Sequence, residues 1–320
     1  MSAGLTLDGV VSAVRGHSGL RGKAAIGLVT DVLGPTDWLA GPGDDAALLE
    51  VDGARVLVGG EALWPPFVEA DPGGAGIAAV LTNVNDLAAM GARPLGILDT
   101  IVAPEAIARA VLEGMRYAAE LYRVPIVGGH LTVRDGPPSV SAFGVGAATA
   151  VLSMRNVAPG QSLLVASCLA GRMRADFPFF PSFSERGERL ADDVRLLAEV
   201  AESGFCVAAK DVSMAGVLGS VAMLLEWSRA GAAVDLGALP RPPEVPLATW
   251  AITFPCFSFV LCAPPDRAPA CRDAFHRRGL ACETVAVLDS SGVLRVRLEG
   301  EERVLLDLKH EPVTGLSKRA

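Results

Sequence analysis

What this chain lacks narrows it first. No apolar run reaches the ~18 residues that a membrane-spanning helix needs. The nearest runs, Val217–Trp227 and Ala251–Ala263, are too short, and Pro255 interrupts the second. The N-terminus has no basic-then-apolar secretory pattern, so a soluble, cytoplasmic protein is expected. There is no basic cluster, and the formal charge over 320 residues is −8. That argues against a nucleic-acid partner, while a small anionic substrate stays possible because a metal ion can bridge acids to phosphates. The six cysteines, at 168, 206, 256, 262, 271 and 282, show no CxxC spacing. Sitting mostly among apolar neighbours, they read as buried reduced thiols rather than disulfides or metal ligands. No internal repeat of 20–50 residues is visible. Gly16-His17-Ser18-Gly19-Leu20-Arg21-Gly22-Lys23-Ala24 has the wrong glycine spacing for a phosphate loop, and Ala stands where a hydroxyl should reach magnesium. It reads as a helix break or a flexible basic arm. Gly144-Val145-Gly146 lies inside a strand pattern, where close packing explains the glycines better than a dinucleotide fingerprint does.

What is present is apolar material: 51% of residues are hydrophobic and the mean hydropathy is +0.39. That suffices for a large core and for a buried oligomer interface. The length suits two domains, with a boundary near Leu152–Val157, hence 1–152 and 153–320. Helical patterns cover parts of 5–33, Gly76–Met90, Pro104–Tyr122, Glu188–Ser203, Gly216–Ala230 and Asp266–Gly279. Strand patterns cover a hairpin around Asp52-Gly53, then Leu95–Val102, Val124–Val127, Ser139–Ala150, Ser162–Ser167, Ala233–Leu236, Phe257–Ala263, Thr284–Leu288 and a closing hairpin at 293–308. The two types mix without a strict βαβ rhythm, which predicts an α+β (mixed α/β) fold.

Two acids occupy the tip of the Gly-rich turn Gly41-Pro42-Gly43-Asp44-Asp45-Ala46-Ala47. A third lies in Asn85-Asp86-Leu87-Ala88-Ala89-Met90-Gly91-Ala92-Arg93-Pro94, and a fourth in Lys210-Asp211-Val212-Ser213-Met214-Ala215-Gly216. Taken singly, Asp44 or Asp45 could be a turn acceptor and Asp86 a helix N-cap. Taken together, acids beside glycines and small residues suit a hard cation and its polyphosphate.

These segments, with Gly128-Gly129-His130 between them, resemble in content and order the motifs of the aminoimidazole ribonucleotide (AIR) synthetase-like superfamily. That superfamily includes thiamine-monophosphate kinase, selenophosphate synthetase and the hydrogenase-maturation carbamoyl-dehydrating enzyme. The resemblance runs from about residue 41 to beyond 260. It implies an N-terminal domain whose sheet pairs across a homodimer, a C-terminal α/β domain, and ATP with Mg²⁺ in the cleft between domains. By position, Asp45, Asp86 and Asp211 match the magnesium-binding aspartates, and Asp86 and Asp211 would be the catalytic pair, with Asp44 in support. Glu61 stands at the strand end where the kinase has Asp-Thr. Gly128, Gly129 and His130 match a nucleotide-contacting turn, Arg155 an arginine that approaches the phosphates, and Ser213 the hydroxyl beside the third acid. His130 either bonds a phosphate or is a satisfied turn histidine.

Departures accompany the matches. Met214 replaces an acid of the kinase's Asp-x-Ser-Asp, and Thr253-Phe254-Pro255-Cys256-Phe257-Ser258 replaces its Gly-Gly-Glu-Asp-Tyr-Glu. No cysteine precedes residue 168, so the selenophosphate synthetase nucleophile is missing, as is the cysteine tail of the hydrogenase-maturation enzyme. The resemblance therefore implies phosphoryl transfer from ATP to a small metabolite, by a kinase or a synthetase that activates an amide. The alternative is a nucleotide-binding subunit of a larger complex that has lost catalysis. The stretch Phe177–Phe183, with Arg172, Arg174 and Arg186 around it, could place Arg172, Arg174, Phe177 and Phe180 over a planar anionic substrate; a loop or a dimer contact is the other reading.

Overall fold

A computed structural model describes residues 6–34, 40 and 43–316. The described residues form two compact units interleaved along the chain. One comprises Asp45–Ala150 and Arg186–Glu199; the other comprises residues of Met1–Asp44, Val151–Glu185 and Val200–Ala320. Gly41 and Pro42 of the acidic turn lie outside the described residues.

The chain opens in the second of these units with α1 (Leu7–Gly16), α2 (Ser18–Arg21), a 3₁₀ turn (Gly22–Gly27) and α3 (Leu28–Leu33). The Thr6 hydroxyl caps α1 by accepting the Gly9 N–H at 3.2 Å, and Leu7, Val10 and Val14 form its buried face. The break expected near His17–Gly22 falls at His17, whose backbone is extended.

The other unit begins with the hairpin β1 (Ala47–Val51) and β2 (Ala54–Ala62). Asp52 and Gly53 both take positive φ, 50° and 82°, as the twist of a two-residue hairpin requires. Then come α4 (Pro65–Ala70), α5 (Pro72–Ala89), β3 (Arg93–Ala103), α6 (Glu105–Tyr122), β4 (Ile126–Val133) and β5 (Ser139–Ala148). The helix α4 has no counterpart in the sequence pattern. Asp71 caps α5 by accepting the Gly74 N–H at 2.9 Å, and Pro72 suits the first helical position, so α5 starts four residues earlier than its apolar pattern does. The five strands run in the order β1-β2-β5-β3-β4. Helices cover one face, burying Leu57, Ala142, Ile97 and Ile101 completely. Between α5 and α6 the backbones touch. A Cβ on Gly76 would lie 2.0 Å from the Val111 carbonyl oxygen, and one on Gly114 would lie 2.1 Å from that of Gly73.

Among the described residues, no helix covers the opposite face of this sheet. Register places Leu49, Val56 and Ala147 in one row, Ala47, Val58 and Val145 in the next, then Gly60, Phe143 and Leu98. Leu49, Val51 and Phe143 are 50%, 54% and 41% exposed.

The chain continues through a 3₁₀ turn (Met154–Asn156), β6 (Ser162–Ser167), β7 (Phe179–Phe180), α7 (Phe183–Arg186), α8 (Arg189–Glu202), β8 (Ala208–Asp211), α9 (Gly216–Glu226) and β9 (Gly231–Asp235). After these come α10 (Leu247–Ala251), β10 (Phe254–Pro255), β11 (Ser258–Ala263), α11 (Ala268–His276), β12 (Ala281–Asp289), β13 (Val293–Leu298) and β14 (Glu301–Asp307). Seven strands run in the order β14-β13-β9-β12-β6-β11-β8. Every residue of β6, β8 and β11 is buried, the signature of strands covered on both faces. The Phe-rich stretch is mostly irregular, as its composition suggests, but Phe179 and Phe180 pair in parallel with Phe254 and Pro255.

All six cysteines are reduced and buried. Burial pushes the thiols of Cys256 and Cys262 up to about 12, so they stay protonated and unreactive at neutral pH. No helix among the described residues is long and apolar enough to cross a membrane.

Candidate metal and nucleotide site

In the unit that holds the five-stranded sheet, Asp45 precedes β1 and Asp86 stands in the last turn of α5. Each offers a carboxylate oxygen within 4.8 Å of the other. The helix passes straight through Asp86, so the N-cap reading fails. Asp86 is instead 7% exposed at the helix end where the macrodipole disfavours an anion. An acid kept in such a place is costly unless a cation compensates it. Small residues let α5 lie close to the strands: a Cβ on Gly144 would come within 3.2 Å of Leu87 and Asn83 atoms.

Gly128, Gly129 and His130 lie within β4, a sheet edge, and not in a turn; β4 pairs in parallel with β3 over Ile126–Val133. The short apolar start Val124–Val127 gives no sign that the strand continues through two glycines. A Cβ on Gly129 would strike the Asp99 carboxylate at 2.5 Å, so the glycine makes room for a buried acid. Burial raises the carboxyl pKa of Asp99 above its ordinary 3.8. His130 is exposed, its Nε2 3.2 Å from the Thr132 hydroxyl. Glu61 is exposed near the end of β2, opposite Ala142.

In the other unit, Gly43 holds φ at +91°, a value that favours glycine. Next to it the Asp44 carboxylate accepts the Ser153 hydroxyl at 2.5 Å and the Met154 N–H at 2.8 Å. Asp44 thus anchors the acidic turn to the 3₁₀ turn that carries Arg155, whose guanidinium stacks 5.7 Å from the Trp227 ring centre. Asp211 ends β8 and is 3% exposed. The turn after it is pinned: the Gly216 N–H donates to the Ser213 carbonyl at 2.9 Å, and Gly216 has φ +70° with no room for a side chain beside the Ala251 carbonyl. Ser213 is half-buried, and Met214 is 41% exposed. The Met214 carbonyl meets His17 Nε2 at 2.7 Å, so the α1–α2 junction braces this turn.

The Phe-rich stretch divides. Phe177 is 40% exposed and Arg172 is exposed, while Arg174 forms a bidentate pair with Asp176 at 3.0 and 2.7 Å. Phe180 is fully buried and meets Trp250 edge-on at 5.3 Å. Its place is in the core, not over a substrate. Arg186 is also buried, in a bidentate pair with Asp193.

Sequence reasoning assigned no role to Lys210, which is 7% exposed with its Nζ 4.0 Å from Asp211 Oδ1. The available signal was a lysine between Ala208-Ala209 and the acid, in a segment otherwise apolar enough to be buried. His17 was likewise read only as part of a helix break.

The chain belongs to the AIR synthase related protein family. Residues 43–148 match the model of its N-terminal domain and residues 177–299 that of its C-terminal domain. Uncharacterized protein sll0787 of Synechocystis sp. is 31% identical over 278 residues, 86% of this chain and 86% of that protein. The thiamine-monophosphate kinase of Rhodopirellula baltica is 34% identical over 169 residues, 52% of this chain and 50% of that one. Among solved structures, T. maritima PurL complexed with ADP gives a TM-score of 0.73 at 22% identity, covering 88% of this chain and 47% of that chain. This protein thus spans about half the length of PurL. AaThiL complexed with AMPPCP and TMP gives a TM-score of 0.66 at 18% identity, covering 87% of this chain and 94% of that chain. At such identities the structures establish a shared fold. In those two structures PurL holds ADP and AaThiL holds AMPPCP.

Proposed function

We propose that the protein transfers a phosphoryl group from ATP to a small metabolite, with Asp45, Asp86 and Asp211 holding Mg²⁺. The observation that carries this is the Asp45–Asp86 pair: two carboxylates, one at an unfavourable helix end, with oxygens within 4.8 Å. Such a hard oxygen donor set fits Mg²⁺. When bound, the ion supplies charge neutralisation and alignment of the phosphates, which is most of what phosphoryl transfer asks of a protein. Asp211 is the third ligand by its place in the family's motif order. Asp44 acts by holding the turn, and Ser213 and Arg155 face the phosphates. Glu61 and Gly128–His130 border the nucleotide, and Arg172, Arg174 and Phe177 remain the candidates for the metabolite. Residues 1–152 supply Asp45 and Asp86, and residues 153–320 supply Asp211.

Titration calorimetry with ATP and Mg²⁺ tests this on the wild type and on Asp86→Ala. The wild type should bind and the variant should lose at least tenfold in affinity; equal binding by both, or none by the wild type, overturns the reading. Met214, exposed where a second acid would stand, favours a second reading: a nucleotide-binding subunit without catalysis. ADP release with any compound from a metabolite panel removes that one.

The open face of the five-stranded sheet supports a homodimer. Its rows run Leu49-Val56-Ala147-Arg93, Ala47-Val58-Val145-Gly96 and Gly60-Phe143-Leu98, so apart from Arg93 at the β3 end they carry no charge, and contiguous apolar surface of this kind marks an interface. A second copy presenting the same face would bury it, as a twofold interface does.

A further inference from the structure

Lysine is rarely buried without a partner, because its ammonium loses hydration that only an opposite charge can replace. Lys210 lies at the end of β8, in the middle of the seven-residue run Val207–Ser213. Strand alternation puts it on the side of Ala208 and Val212, which share a core cluster with Leu218 and Val221 of α9. Asp211 projects to the other side. Even so, Nζ comes within 4.0 Å of Asp211 Oδ1. Across that separation, longer than a hydrogen bond, the ammonium acts on the Oδ1 of the carboxylate by charge alone. Three residues on, Met214 stands where the resemblance led one to expect an acid. Around Asp211 the chain therefore has Met214 in place of an expected carboxylate and a buried ammonium close by.

We propose that Lys210 is a built-in counter-ion that makes divalent-ion binding at Asp211 conditional on a polyphosphate. This rests on the assignment of Asp211 as a metal ligand. With no ligand bound, the ammonium balances the buried carboxylate and keeps it in position. A divalent ion arriving alone meets that positive charge and binds poorly. An ion arriving with a triphosphate brings negative charge that offsets both cations, and the ammonium then has a phosphate oxygen to pair with. By this account Lys210 sets an order: metal and nucleotide enter together.

Calorimetry on the full chain tests it, with MgCl₂ alone and then MgCl₂ with the non-hydrolysable analogue AMPPCP. Lys210→Met should bind Mg²⁺ alone about tenfold more tightly than the wild type and Mg·AMPPCP about tenfold more weakly. Lys210→Arg, which keeps the charge, should hold both affinities within threefold of the wild type. Lys210→Gln serves the same comparison if the Met variant does not fold. A purely structural lysine would not move the two affinities in opposite directions. Shifts of the same sign, or both within twofold, overturn the proposal. If the wild type binds neither titrant, the functional reading fails. The proposal is then decided by the charge-removed variant alone: a gain of Mg²⁺ binding upholds it, and none overturns it.

Discussion

The two sheets of this protein are built from similar residues and meet solvent very differently. In the seven-stranded sheet, β6, β8 and β11 bury every residue, so both faces of these strands are covered. In the five-stranded sheet, one face is equally well covered and the other presents Leu49, Val51 and Phe143 to solvent. The first sheet is a finished core around those three strands, with Val287 of β12 and Val304 of β14 left exposed towards its other strands. The second is half of one, and its apolar composition makes sense only if something completes it.

That contrast can be broken by mutation. Leu261 is fully buried at the middle of β11. Leu261→Ala should cost about 2–5 kcal/mol of unfolding free energy, read from urea titration; a loss below about 1 kcal/mol would mean the seven-stranded sheet is less completely packed than described. Phe143 lies over Gly60, where a Cβ would meet its ring at 2.6 Å. Phe143→Glu should leave the subunit folded but raise the dimer dissociation constant at least about a hundredfold, about 2.7 kcal/mol. Sedimentation of a wild-type dimer beside a variant monomer is the expected pattern, and an unchanged dimer would place the interface elsewhere.

The smallest effect concerns Asp99 on the covered face. Because burial raises its carboxyl pKa above 3.8, the folded chain holds this proton more tightly than the unfolded chain does. Its contribution is then most favourable below the unfolded value and is lost as pH rises through the folded one. Asp99→Asn should therefore melt higher than the wild type at pH 7, with the gain disappearing near pH 3.5. A variant destabilised at pH 7 but not near pH 3.5 would instead assign Asp99 a role as an anion.

Most helices and strands were legible because their signals are local. Asp52-Gly53 announces its hairpin, Pro104-Glu105 opens α6, and Ser162–Ser167 reads as a strand. The short helices α4 and α10 were not legible, since five or six residues give no periodicity. At the site, the acids were visible as a pattern, but their surroundings were not. The resemblance implies a turn at Gly128-Gly129-His130, and the Asp99 carboxylate beside Gly129 explains why the strand found there needs glycine. Phe180 and Phe177 are indistinguishable in sequence; partners distant along the chain put one against Trp250 and leave the other exposed. Lys210 escaped notice because a lone lysine beside an acid is usually a solvated surface pair.

The glycine contact between α5 and α6 bears on Asp86 in a mechanical way. Where Gly76 meets Val111 and Gly114 meets Gly73, no layer of side chains lies between the two helices to be compressed. Asp86 sits ten residues further along the same rod, about 15 Å at the usual rise per residue. A methyl group added at Gly76 would have to be accommodated by moving a whole helix, and the carboxylate would be carried along with it. The accuracy with which that acid is aimed is thus set well away from it, at a point where two main chains rest against each other.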